Sequence, residues 1–285
     1  MALTFKPPGR SRERILSFGP EGTGKTSDIL TIARLLPDVT FHWVDNDNSL
    51  DRLLETEFAD LRVAWENGEE TGEEGNISLW TPEDWEEHRD VFVVLFGDRP
   101  SGKTPTVEYD DWIVLDNGSI PWDTVQDWAA YDIYGTSKDE LTEKRGDERR
   151  GDKKNLMVFE GEMDYGGKIN PQYRRYLGGH LTRPPCHLYV TADMVALDDR
   201  DKDKLTKSLY GKYGVKARGQ KRMGQSMQTV LMKEQTTGGS YKITTIKDRG
   251  RVTLANHVVS DIEDGGFAKD YLRGVAGWKP SAAKK

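Results

Sequence analysis

The 285 residues carry 41 Lys and Arg against 48 Asp and Glu, a net charge of −7, with 35% hydrophobic and 31% charged residues. That is a polar composition that still folds, and it excludes a disordered chain. No apolar run approaches the roughly 18 residues a membrane span needs, and residues 1–10 lack the apolar core of an export signal, so a cytoplasmic protein is expected. The single cysteine, Cys186, excludes a disulfide framework and a thiolate metal cluster, and no pair of the five histidines has helical ligand spacing.

In chain order, residues 1–12 read as a flexible arm. The apolar run 14–18 (RILSF) reads as a buried strand. Gly19, Pro20, Glu21, Gly22, Thr23, Gly24, Lys25 and Thr26 follow, then Ser27 and a helix to residue 36 with Ile29, Leu30, Ile32 and Ala33 at helical spacing. This is the G-x-x-x-x-G-K-[ST] pattern in strand–loop–helix context. Its glycines let backbone N–H groups wrap phosphates at a helix N-terminus, Lys25 reaches the β- and γ-phosphates, and the Thr26 hydroxyl ligates Mg²⁺. ATP and Mg²⁺ are therefore the expected ligands.

Residues 39–44 read as a second strand with Asp45, Asn46, Asp47 and Asn48 at its end, and a helix over 50–58. Asp45 or Asn48 can cap that helix. A calcium loop is excluded there, because Leu50 stands where glycine is needed and Thr56 where glutamate is needed. Residues 66–76 read as an acidic surface loop and 77–80 as a strand. Thr81 then reads as the N-cap of a helix carrying Trp85, His88, Phe92 and Leu95, with Pro82 in its first turn. The phosphate-loop pattern recurs from Gly97 to Thr104, but Pro105 follows at once and the next strand leaves no room for a phosphate-binding helix, so this occurrence, Lys103 included, reads as a loop.

Residues 112–115 form a buried strand ending in Asp116, the position of the Mg²⁺-orienting acid of phosphate-loop NTPases. A helix is expected over 121–131, a charged excursion over 136–154 with 7 basic and 6 acidic residues, a helix over 171–181 and a strand over 186–191. Residues 195–227 form a basic insertion. Between residues 200 and 222 there are 9 basic and 2 acidic residues, whereas 45–111 hold 20 acidic and 5 basic. The bland reading of such a run is a solvated loop; the sharper one is a local site for an anionic partner. Residues 229–233, 240–247 and 252–254 read as late strands and 266–285 as a tail. Alternating strands and helices mean an α/β fold, a mainly parallel central sheet flanked by helices, with the late strands antiparallel.

The order of these landmarks resembles the RecA and RadA recombinases. The stretch from Trp43 to Asp51 resembles their second strand and the acid that activates water, with Asp47 in that place; residues 188–193 resemble their sensor strand, with Thr191 and with Asp193 where an amide is usual; and the strand ending in Lys247 and Arg249 resembles the one whose basic residues reach the ATP of the neighbouring subunit. The resemblance implies a RecA-like ATPase domain over 13–265, without further terminal domains. It also implies a homo-oligomer with active sites between subunits, in which Lys25, Asp47, Asp116, Lys247 and Arg249 carry hydrolysis.

The basic insertion occupies the place of the family's DNA-binding loop. There the implied single-stranded DNA partner meets Lys212, Lys216, Arg218, Lys221 and Arg222, interleaved with Tyr210, Tyr213 and Met223, although Tyr210 and Tyr213 read equally well as ordinary core residues of a folded subdomain. Short bacteriophage RecA-like proteins of single-strand annealing and recombination are the most similar relatives, which implies the host cytoplasm. Asp47 is one methylene shorter than glutamate, which implies slow hydrolysis, and Asp193 adds a charge that a γ-phosphate repels unless a cation intervenes. Two other readings remain open from the sequence: a RecA-fold helicase or DNA-packaging motor, and a nucleotide-binding protein or kinase with no DNA partner.

Overall fold

The computed structural model describes residues 12–148, 161–198, 203–237, 240–262 and 266–277. The 1–12 arm (but for Arg12) and the end of the 136–154 excursion lie outside them. One mixed sheet organises the chain. Seven strands, β1 (Arg14–Gly19), β2 (Phe41–Asp45), β3 (Val63–Glu66), β5 (Ile77–Trp80), β6 (Trp112–Asp116), β7 (His187–Ala196) and β9 (Thr229–Gln235), run parallel in the order β9-β1-β7-β6-β2-β5-β3. The two-residue β4 (Glu69–Glu70) pairs antiparallel with β3, where an unbroken loop was expected. At the other edge β10 (Tyr241–Asp248) and β11 (Val258–Ile262) add antiparallel strands. Residues 252–254, expected as a strand, form a short 3-10 turn instead.

The strand residues alternate between two cores because successive side chains point to opposite faces. On β6, Ile113 and Leu115 face one layer, and Trp112 and Val114 the other. The first layer holds α3 (Trp85–Phe96), α4 (Ile120–Tyr134) and a helix over 161–178, π-helical at both ends around α6 (Asn170–Tyr173). The second layer holds α1 (Lys25–Leu35), the start of α2 (Leu50–Glu55) and a π-helical segment, Phe267–Val275. That last segment corrects the expected C-terminal tail: Phe267, Tyr271 and Leu272 are fully buried, with Phe267 edge-on to Tyr189 at 6.1 Å.

Two other local expectations change. The N-cap of α3 is Asp84, whose carboxylate accepts from the N–H groups of Glu86 and Glu87; Thr81 is instead tied to Asn67. Within 136–154 the chain forms α5 (Lys138–Glu148). The basic insertion is folded over its described part. α7 (Lys204–Tyr210) leads to β8 (Val215–Ala217), which pairs antiparallel with the end of β7, and then to α8 (Met223–Ser226).

Candidate nucleotide site and the basic groove beside it

Parallel strands deliver their carboxyl ends to one edge, and the candidate residues collect there. In register, Gly19 of β1 lies beside Asp193 of β7, Ser17 beside Thr191, and Asp45 of β2 beside Asp116 of β6. The loop after β1 turns through Gly22 (φ 71°) and Gly24 (φ 68°), left-handed conformations that a side chain would strain, and delivers Lys25 into the first turn of α1. Thr23 Oγ1 donates to the carbonyl of Pro20 at 2.8 Å, closing the loop on itself. Lys25 Nζ donates to the carbonyls of Gly19 (3.1 Å) and Pro20 (2.9 Å). Burial lowers its pKa, while the carboxylates of Asp193, Asp116 and Asp47 pull it back up. The loop, Leu53, Glu57 and Tyr241 line a pocket of about 270 Å³.

Asp116 is the most enclosed acid of the site. Its carboxylate accepts from the hydroxyls of Thr191, of Thr26 and, at 3.3 Å, of Ser49, and burial raises its pKa. A hydroxyl and a carboxylate side by side are hard oxygen donors, the set that suits Mg²⁺ completed by phosphate oxygens. Asp45 lies beside Asp116 in the sheet and within electrostatic reach of it, but its hydrogen bonds go elsewhere. It accepts from the N–H groups of Ser49 (3.2 Å) and Leu50 (3.1 Å), capping α2, and burial raises its pKa to about 6. Asp47 is exposed on the same loop, within electrostatic reach of both Lys25 and Asp116. The loop is held by Asn46, which donates to the carbonyl of Asn117 (3.0 Å) and presents Oδ1 to His88 Nε2 (2.8 Å).

A residue that sequence reasoning missed braces the loop from below. Lys233, at the end of β9, is 2% exposed and donates to Asp28 Oδ1 (2.7 Å) and to the carbonyl of Gly24 (2.9 Å). Its own carbonyl lies 2.5 Å from where a Cβ on Gly19 would sit, so glycine is required there by close approach. A lysine closing an apolar run was the available signal.

The five basic candidates separate. Arg218 reaches the nucleotide site: its guanidinium lies 3.8 Å from Asp193 and 2.8 Å from Asp123, and its N–H donates to the carbonyl of Asp193. Of the two carboxylates, Asp123 is the nearer partner of this guanidinium. Lys212 lies elsewhere, bonded to Asn256 at 3.1 Å. Lys216, Lys221 and Arg222 line a groove of about 610 Å³ together with Trp122, Tyr165 and Arg174. Tyr210 and Met223 are core residues, Tyr210 edge-on to Phe18 at 5.7 Å, and Tyr213 is bonded to Asn256.

Lys247 and Arg249 sit at the opposite end of the sheet from Lys25, since β10 is antiparallel and Asp248 pairs with Thr229, beside Ile15. Lys247 Nζ donates to the carbonyls of Gly224 (2.8 Å), Gln225 (2.9 Å) and Met227 (2.6 Å). These contacts occupy all three protons of the ammonium and cap α8. Burial and the charges of Arg249 and Arg14 work against it, lowering its pKa to about 7. Arg249 is exposed and donates to the carbonyl of Gln225. The second phosphate-loop pattern is a turn. Gly97 caps α3, residues 99–101 form one 3-10 turn, Asp98 pairs with Arg175, and Lys103 is exposed.

No protein-family model matches the sequence, and no curated protein matches it. The structure is similar to the crystal structure of the RadB recombinase, with a TM-score of 0.50 over 90% of this chain and 91% of that one, at 17% sequence identity. At that identity the likeness is one of fold, and the fold is RecA-like. No described helix is long and apolar enough to cross a membrane.

Proposed function

We propose that this chain is an ATP-binding and ATP-hydrolysing RecA-like protein that binds single-stranded DNA and serves recombination or annealing of the bacteriophage type. The observation that carries the reading is the convergence of Lys25, Thr26, Asp116, Thr191 and Asp193 on one sheet edge, with Asp47 facing them across the loop. Residues 19–27 would hold the phosphates, and Thr26 and Asp116 the Mg²⁺, which supplies charge neutralisation to phosphoryl transfer when bound. Asp47, exposed and close to Lys25, is suited to orient an attacking water. Thr191 holds Asp116 in place, and Asp193 with Arg218 forms the sensor pair.

The groove beside the site supports a nucleic-acid partner. A RecA-like fold whose Arg249 is exposed at the far end of the sheet supports active sites formed between subunits, Lys247 serving to hold the strand end rather than to reach ATP. The test is ATP turnover with and without single-stranded DNA, in wild type and Lys25→Ala. DNA-stimulated turnover that Lys25→Ala abolishes is the expected result. Nucleotide binding with no DNA response would favour a nucleotide-binding protein or kinase, and strand separation or translocation would favour a motor.

A further inference from the structure

Trp122 and Tyr165 lie 43 residues apart on different elements, and neither belongs to the basic insertion, yet their rings lie nearly parallel (16°) with centroids 6.3 Å apart. Both are half-buried and both line the groove together with Lys216, Lys221 and Arg222. The rings are fixed from behind. Tyr173, fully enclosed, packs edge-on against Trp122 at 5.1 Å, and Gln126 links the two by accepting from the Tyr165 hydroxyl (3.3 Å) and donating to the Trp122 carbonyl (2.9 Å). Such rings present flat π surface already held in place, so a planar ligand can stack there with little further ordering cost.

Among the charges that line the groove, those without a partner among the described residues are positive. Arg174, Lys221 and Arg222 are exposed and have no carboxylate partner among the described residues. The one acid lining the groove, Asp203, is engaged in capping α7, accepting from the N–H of Leu205 (3.0 Å) and the hydroxyl of Thr206 (2.9 Å). Flat aromatic surface flanked by uncompensated cations is complementary to a base that carries a phosphate. The groove is open and about 610 Å³, which admits a base with its backbone passing through.

We infer that this groove is a base-stacking site for single-stranded DNA, with unstacked bases lying on Trp122 and Tyr165 while Arg174, Lys221 and Arg222 hold the phosphodiester backbone. The inference rests on the proposed DNA-binding function but moves its centre. Half of the site comes from α4 and the 161–178 helix, and the aromatic residues are not the tyrosines of the basic insertion.

The test compares an oligothymidylate of about 20 nucleotides with an abasic strand of equal length, measured by fluorescence anisotropy over a salt series. Trp122→Ala and Tyr165→Leu should each weaken oligothymidylate binding by about five-fold or more and leave the abasic strand unaffected, because only the bases stack. Arg174→Ala should weaken both strands alike and reduce the salt slope by about 0.7, one released counterion contact. Trp122→Phe keeps a ring against Tyr173, so it should retain affinity while losing the part of the tryptophan quenching that arises at this position, which separates stacking from a folding defect. Equal losses on both strands for the two aromatic variants, or wild-type binding by all three variants, would overturn the groove site while leaving DNA binding itself intact. Failure of the wild type to bind any strand would overturn the functional reading. Quenching by thymidine monophosphate in a wild type that ignores the strands would reassign the groove to a free nucleotide and overturn it as a strand site.

Discussion

Replacing Lys233 with methionine keeps the length of the stem and removes the ammonium that ties β9 to the phosphate loop. Lys233 and Asp28 are 2% and 5% exposed at their side chains, so the change strands a buried carboxylate of α1 without its cation. Removing one member of such a pair costs about 3–5 kcal/mol, a large part of the roughly 5–15 kcal/mol that holds a domain together. For a chain of this size each kcal/mol moves the midpoint by about 2–4 °C, so Lys233→Met should lower it by roughly 6–20 °C in a thermal unfolding scan. Lys233→Met/Asp28→Leu should recover most of that loss, since an apolar pair of similar volume often replaces a buried ion pair at little cost.

The same lysine fixes the Gly24 carbonyl at 2.9 Å. Freeing it should weaken ATP binding by roughly five- to ten-fold, the worth of one hydrogen bond, in both the single and the double variant. The reasoning fails if Lys233→Met melts with the wild type, or if the double variant is less stable than either single one. Recovery of stability without recovery of ATP affinity is the result that would separate the two roles.

Lys25→Ala should abolish ATP turnover and Lys103→Ala leave it nearly intact, read as phosphate release, because only Lys25 opens a helix. Asp47→Asn should keep Mg²⁺-dependent ATP binding and lose turnover, while Asp116→Asn should weaken the binding itself; turnover by Asp47→Asn at the wild-type rate would remove Asp47 from the chemistry. His187, whose Nδ1 accepts from the N–H of Glu13 at 2.9 Å, is pushed by burial to a pKa of about 4, against about 6.5 unfolded. The unfolded chain therefore takes up a proton first, and the stability His187 contributes is full above pH 6.5 and falls by about 3 kcal/mol towards pH 4; Asp45, raised to about 6, opposes this as pH falls. Urea midpoints across that range should fall less steeply for His187→Gln than for wild type. Lys247→Met should lower the melting temperature, as three carbonyls lose their donor, whereas Arg249→Ala should leave it unchanged and lower turnover only in assembled protein.

What the sequence made legible was local. The strands β1, β2 and β6 are short, mostly apolar runs closed by a glycine or an acid, and the phosphate loop is eight consecutive residues, so chemistry and chain order coincide. The brace from Lys233 to Asp28 spans 205 residues and depends on β9 lying beside β1, which no local pattern states. The basic insertion reads as an open loop because charge density hides a three-residue strand, and its tyrosines read equally as stacking or as core residues because interleaving with Lys and Arg does not tell which way a ring points. Tyr210 points into the core, and the rings that line the groove sit in helices whose spacing gives no sign of exposure. The C-terminal helix was masked by glycines and lysines around Phe267, Tyr271 and Leu272, which meet the sheet only after the chain has returned to α1.

Sheet polarity then orders the functional possibilities. Parallel strands bring Lys25, Asp116 and Asp193 to one edge, and the antiparallel return of β10 carries Lys247 and Arg249 to the other, where Arg251 pairs with both Asp248 and Glu13. Residues 247–249 cannot fold back across the sheet to their own phosphate loop without unpairing β10 from β9. A positive charge acting at the phosphates within one chain must come from the same edge, and Arg218 is placed there, between Asp193 of the nucleotide site and Asp123, the neighbour of Trp122 on α4. A γ-phosphate competing for that guanidinium would loosen its hold on one or both aspartates. Residues 216–222 carry both Arg218 and three of the cations that line the groove, so the candidate nucleotide site and the groove share one short segment.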